Sequence, residues 1–127
     1  PTGRVYTYEA RDENFTLARR NLERVALLPY VTMRQRSIRY GFEETNVDAL
    51  FLDVREPWQF LDEVVTTLRP GGFFASLVPT TNQVSQLLEA LEANAFADIG
   101  VEELLLRRYK PVPERLRPED EMVAHTG

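Results

Sequence analysis

The sequence predicts an α/β fold built on a mostly parallel sheet with helices on both faces. Three observations predict it. Short β-prone runs alternate with stretches of helical apolar spacing along the chain. Two of those runs read as strands buried on both faces: Ala49-Leu50-Phe51-Leu52 is continuously apolar, and Phe73 to Val78 is apolar but for Ser76. Helices between successive runs act as crossovers, which favour parallel pairing.

The elements follow in order. Val5 to Tyr8 is a short β-prone run after a glycine turn, and it ends in Glu9. Residues 12–26 are predicted helical, with Asp12 or Asn14 as N-cap and Phe15, Leu17, Ala18, Leu22, Val25 and Ala26 on one face. Pro29 ends that helix, and Tyr30 to Gln35 forms the next strand. The run at 49–52 ends in Asp53. Pro57 suits the first turn of a helix over Trp58 to Leu68, with Phe60, Leu61, Val64, Val65 and Leu68 facing the sheet. Pro70-Gly71-Gly72 is a turn signal before the strand at 73–78. Thr80 or Thr81 caps a helix carrying Val84, Leu87, Leu88 and Leu91. Asp98 to Tyr109 reads as a long strand whose end turns basic. Residues 110–121 hold three prolines and read as an ordered, basic arm, and Met122 to His125 begins a last strand.

Composition narrows the chemistry. The 127 residues suit one domain, residues 1–127, with an ordinary balance of 43% hydrophobic and 28% charged residues. There is no cysteine, which excludes disulfides, a thiolate nucleophile and zinc-thiolate sites. His125 is the single histidine, so no metal site is expected. No apolar run approaches the roughly 20 residues that span a bilayer, and no signal peptide is seen. No membrane association is expected, and the cytoplasm is the expected compartment. The first residue is Pro1 rather than methionine, as in a trimmed or excised chain. The net charge of −5 argues weakly against a dedicated polyanion binder, although Arg107, Arg108, Lys110, Arg115 and Arg117 cluster. In open parallel sheets ligands bind beyond the carboxyl ends of the strands. That rule selects Glu9, Ser37, Asp53 and Pro79-Thr80.

Four segments carry a resemblance to a known family. They are Val5-Tyr6-Thr7-Tyr8-Glu9, the run Phe51-Leu52-Asp53-Val54-Arg55-Glu56-Pro57-Trp58, the run Pro79-Thr80-Thr81-Asn82-Gln83-Val84, and Tyr109 to Pro118 continuing to Val123-Ala124-His125-Thr126-Gly127. The first resembles the second strand of a class I methyltransferase. The other three, in order, resemble the tRNA adenine-N1 methyltransferases that act on the T-loop adenine at position fifty-eight. The resemblance implies a Rossmann-like sheet here lacking its first strand, the glycine-rich loop after it, and its last strand. It implies S-adenosylmethionine as cofactor, S-adenosylhomocysteine as product, T-loop tRNA as partner, and a homo-oligomer, typically a tetramer.

By resemblance, Glu9 accepts hydrogen bonds from the ribose hydroxyls of the cofactor. Ser37 and Ile38 stand where the family holds the cofactor's adenine, and Ser37 replaces the usual Asp. Asp53 is the expected catalytic residue and also lies against the cofactor. It would accept a hydrogen bond from the adenine amine and stabilise positive charge on the methylated ring. Its plain alternative is a cap on the following helix. Trp58, Gln83, Arg107, Lys110, Arg115, Arg117 and His125 are the expected tRNA-side residues. Without the first strand and glycine loop, the chain by itself is expected to be a poor or inactive enzyme. Two other readings stand beside this one: a non-catalytic RNA-binding or assembly subunit, and a class I methyltransferase for a protein or small molecule.

Overall fold

The structure, a computed structural model, describes residues 2–94 and 96–118. Contacts divide the chain into two units, residues 1–97 and residues 98–127.

The first unit holds two parallel strand pairs. β1 (Val5–Tyr8) runs beside β2 (Val31–Arg34), with Tyr8 opposite Arg34. Their crossover is α1 (Asp12–Arg24), followed by a 3₁₀ turn at Leu28–Tyr30 that contains Pro29. The helix ends two residues before its predicted end. Neither expected cap is used: Arg11 is the N-cap and makes no side-chain cap bond. The Glu9 carboxylate takes that role from outside the helix, accepting from the Arg11 amide at 2.8 Å. No residue of α1 is fully buried, and Leu17 and Val25 are exposed, so the predicted apolar face is only partly covered.

β3 (Val47–Leu52) runs beside β4 (Leu68–Ser76), with Leu52 opposite Ser76. The predicted helix at 58–68 divides into a 3₁₀ turn at Pro57–Phe60 and α2 (Leu61–Thr67). The glycine turn lies inside β4 as an irregularity, since Val47 pairs with Leu68 but Ala49 pairs with Phe73. Gly71 has φ +72°, and a Cβ on Gly72 would stand 3.0 Å from the Arg69 carbonyl. An Arg69–Asp48 ion pair at 2.7 Å closes the bulge. α3 (Thr81–Glu92) follows, and Thr80 is its N-cap, as predicted.

The core sits under β3 and β4. Val64, Leu50 and Leu52 form one cluster, with Ile38, Phe42, Phe60 and Phe74 against it. Leu61, Leu87 and Leu91 form a second. The expectation of strands buried on both faces is corrected: Phe51 is 65% and Phe73 76% exposed. The described helices cover one face of this pair, the one carrying Leu50, Leu52 and Phe74. Val65 is likewise exposed, and Thr67 is buried in its stead.

Among the described residues the two pairs do not join into one sheet. A trough of about 940 Å³ lies between β1 and β3, lined by Val5, Tyr6, Tyr8, Ala49, Phe51 and Phe73 among others.

In the second unit, β5 (Tyr109–Lys110) pairs antiparallel with β6 (Arg117–Pro118). The long strand expected over 98–109 is absent: residues 98–108 carry no strand. Leu104 is 96% exposed, with Leu105 and Leu106 close behind. The run has β propensity, but propensity without a paired neighbour gives no ladder. The strand expected at Met122 to His125 lies outside the described residues.

Candidate functional site at the strand ends

The candidate residues stand where the four strands of the first unit end. Glu9 follows β1 and stays in the ladder: its amide donates to the Arg34 carbonyl and its carbonyl accepts from the Arg36 amide, each at 3.1 Å. Its carboxylate accepts from the Arg11 amide and, at 3.4 Å, from Asn14 Nδ2. A carboxylate offers about four lone-pair directions, so acceptor capacity remains for a diol.

Ser37 ends the segment after β2. Its hydroxyl caps a 3₁₀ turn at Ile38–Tyr40 by accepting from the Arg39 amide at 3.4 Å. Ile38 turns inward and packs against the Leu50, Leu52 and Val64 cluster.

A charged network that the sequence reading missed ties this segment down. Tyr8 Oη donates to the Glu44 carboxylate and accepts from the Glu43 amide at 2.8 Å. Arg34 donates to Glu44 through Nε at 2.8 Å and Nη2 at 2.6 Å, and meets Glu43 at 2.5 Å. Arg36 reaches Glu43 at 3.2 Å. Burial raises the Tyr8 hydroxyl above its usual pKa, and the bond to Glu44 adds to that. Burial alone would push Glu44 up, but the bonds from Tyr8 and Arg34 outweigh it and leave the carboxyl below its ordinary value. Bonding to Glu44 raises Arg34. The members come from three separated segments, so no spacing rule reveals them. The one legible signal was opposite charge: Glu43-Glu44 against Arg34 and Arg36.

Asp53 follows β3, and its side chain is exposed, with no hydrogen bond or ion pair among the described residues. It does not cap the next helix, because Glu56 occupies the N-cap. The loop it sits in is held at its backbone. Ser76 Oγ donates to the Leu52 carbonyl at 2.7 Å, and Gln83 Nε2 donates to the Arg55 carbonyl at 3.0 Å. Pro57 is fully buried. Trp58 packs on the Leu61, Leu87 and Leu91 cluster.

The basic candidates lie in the second unit. Arg107, Lys110 and Arg115 are exposed, and Lys110 is the register partner of Arg117. His125 lies outside the described residues. Among the described residues no group of His, Asp and Glu is placed to hold a metal. Among the described residues no helix is long and apolar enough to cross a membrane.

A family described as the tRNA methyltransferase complex GCD14 subunit matches residues 1–126. The chain belongs to this family. A Thermus thermophilus tRNA (adenine(58)-N(1))-methyltransferase TrmI is 30% identical over 98% of the chain and 49% of its own length. The solved structure of TrmI, a tRNA (m1A58) methyltransferase from Aquifex aeolicus, superposes with a TM-score of 0.81 at 40% identity, over 97% of this chain and 50% of that one. A Thermotoga maritima structure, described as a SAM-dependent O-methyltransferase, superposes at 0.86 with 51% identity, over 98% and 47%. The chain of this GCD14 family member therefore spans about half the length of these relatives. The shared fold is the methyltransferase α/β fold.

Proposed function

We propose that this chain forms the ribose-side and base-side part of the site of a tRNA adenine-N1 methyltransferase acting on the T-loop adenine. S-Adenosylmethionine is the cofactor in this reading, and it supplies an electrophilic methyl group when bound. The observation that carries the proposal is the exposed Asp53 carboxylate, unengaged among the described residues, on a backbone pinned at Leu52 and Arg55.

The residues fit that chemistry. Glu9 has the acceptor capacity to hold both ribose hydroxyls, while its bond to the Arg11 amide fixes its orientation. Ser37 offers a hydroxyl donor beside the adenine of the cofactor, and Ile38 anchors that segment in the core. Adenine N1 carries its own lone pair, so the attack needs alignment rather than a strong base. Asp53 accepts a hydrogen bond from the exocyclic amine of the target adenine. As methylation makes the ring cationic, the Asp53 carboxylate stabilises it. The target base must leave the folded tRNA to reach such a pocket. Arg107, Lys110, Arg115 and Arg117 serve phosphate contacts, with His125 and Trp58 on the substrate side. The protein works in the cytoplasm as a homo-oligomer.

The test is methylation of tRNA by the full-length protein, read as N1-methyladenosine, with calorimetric titration of S-adenosylhomocysteine. Asp53→Ala should lower turnover about a hundredfold or more and change S-adenosylhomocysteine affinity far less. Near-normal turnover of this variant would sink the assignment. A second reading, a non-catalytic subunit, is favoured by Ser37, whose hydroxyl is engaged as a cap at a position with no carboxylate. A wild-type protein that binds tRNA but not S-adenosylhomocysteine would select it. Methylation of a protein or small molecule in place of tRNA would select another class I substrate.

A further inference from the structure

We infer that Ser76 and Gln83 are positioning residues for Asp53, holding the two backbone carbonyls that flank it. This rests on the reading of Asp53 above. Asp53 has no side-chain partner among the described residues, so its placement is set by its backbone. β3 ends at Leu52, and the next helical residue is Pro57. The intervening loop is fixed from two different elements. Ser76, at the end of β4 and opposite Leu52, donates its hydroxyl to the Leu52 carbonyl at 2.7 Å. Gln83, in the first turn of α3, donates Nε2 to the Arg55 carbonyl at 3.0 Å. The amide is itself oriented, because Thr80 Oγ1 donates to Gln83 Oε1 at 2.9 Å and accepts from the Gln83 amide. Buried Pro57 closes the loop on its far side.

The arrangement holds the main chain on both sides of Asp53 while leaving its carboxylate exposed. A group that acts by orientation gains most from such support. A displacement of about 1 Å can cost about a hundredfold in rate. Neither Ser76 nor Gln83 needs to touch substrate for this, and their effect should appear in kcat rather than in cofactor affinity.

The experiment uses the full-length protein with tRNA. Gln83→Glu keeps the shape and removes the donor. Ser76→Ala removes the hydroxyl, and Ser76→Thr retains it. Gln83→Glu and Ser76→Ala should each lower kcat about tenfold, with S-adenosylhomocysteine affinity within about twofold of wild type. Ser76→Thr should keep kcat near wild type. Wild-type kcat in both Gln83→Glu and Ser76→Ala overturns the inference. So does an equal loss of kcat and cofactor affinity, which marks general damage. The Ser76→Ala and Ser76→Thr pair carries the test alone if Gln83→Glu fails to fold. Asp53→Ala in parallel separates the failures. Normal turnover there removes the Asp53 reading itself, whereas a collapse there with intact Ser76 and Gln83 variants removes only the positioning role.

Discussion

Replacing Glu44 with Gln should destabilise the first unit in a manner that depends on pH. Glu44 is the hub of the network between the β1 and β2 ends, accepting from Tyr8 and twice from Arg34. Its side chain is only 11% exposed, and that of Arg34 is 30% exposed. Hydrogen bonds to charged groups contribute about 1.5–3 kcal/mol each. Exposure at Arg34 argues for the low end. Two contacts survive the change, since Arg34 keeps Glu43 and Tyr8 keeps the Glu43 amide. Glu44→Gln should therefore cost about 2 kcal/mol at pH 7. The carboxyl of Glu44 lies below its ordinary value in the folded state. Its contribution is then complete above the unfolded value of about 4.3 and is lost as pH falls through the lower folded value. Urea melts of wild type and variant at pH 7, 5 and 3.5 should give equal differences at the first two and a smaller one at the third. A difference that stays constant or widens on acidification would refute the reasoning, as would a variant as stable as wild type at pH 7.

Two further substitutions probe the second strand pair. Val64→Ala empties a site with no exposed surface at the centre of the Leu50 and Leu52 cluster, and thermal or urea melts should record a loss of about 2 kcal/mol. Thr80→Ala removes the cap of α3, at about 1 kcal/mol in the same melts. It also frees the Gln83 amide, so its kcat should fall alongside that of Gln83→Glu, while a Thr80→Ser variant should retain both properties.

The parts of the fold that local chemistry dictates were legible. Thr80 caps α3 because a hydroxyl before an apolar-periodic run meets an orphan amide, and Leu87 and Leu91 are buried as their spacing requires. Asp53 stands at a strand end because the apolar run before it is a strand. What failed depended on neighbours. The run at 98–109 has strand composition, yet only Tyr109–Lys110 is paired, and Leu104 to Leu106 lie exposed. Phe51 and Phe73 read as interior because their runs are apolar, 49–52 without interruption and 73–78 but for Ser76. Which faces are covered is decided by where helices pack, and a sequence pattern does not record that. The Glu9 carboxylate capping α1 from outside is another case, since the helix start carried its own Asp and Asn.

The candidate site is divided between two strand pairs, and what links them explains why the segment after β2 is so heavily bonded. Glu9 and Ser37 stand on the first pair and Asp53 on the second, and among the described residues no backbone ladder joins the pairs. In the proposed function, a cofactor held by one and a base held by the other must nonetheless meet within bonding distance. The segment from Ser37 to Glu44 bridges them. Ile38 and Phe42 pack into the core of the second pair, against Leu50, Leu52 and Val64. Phe42 also meets the Tyr8 ring edge-on at 5.1 Å, and Glu44 and Glu43 bind Tyr8, Arg34 and Arg36 of the first. Apolar contacts fix this strut at one end and charged hydrogen bonds fix it at the other. A conservative cut at the charged end, such as Tyr8→Phe, removes the bond to Glu44 and the one from the Glu43 amide while leaving the ring against Phe42. It should therefore loosen the spacing between Glu9 and Asp53 without emptying the core, and turnover of the full-length protein in the proposed methylation, measured beside urea melts, is the readout: unchanged turnover would mean that the network serves stability alone.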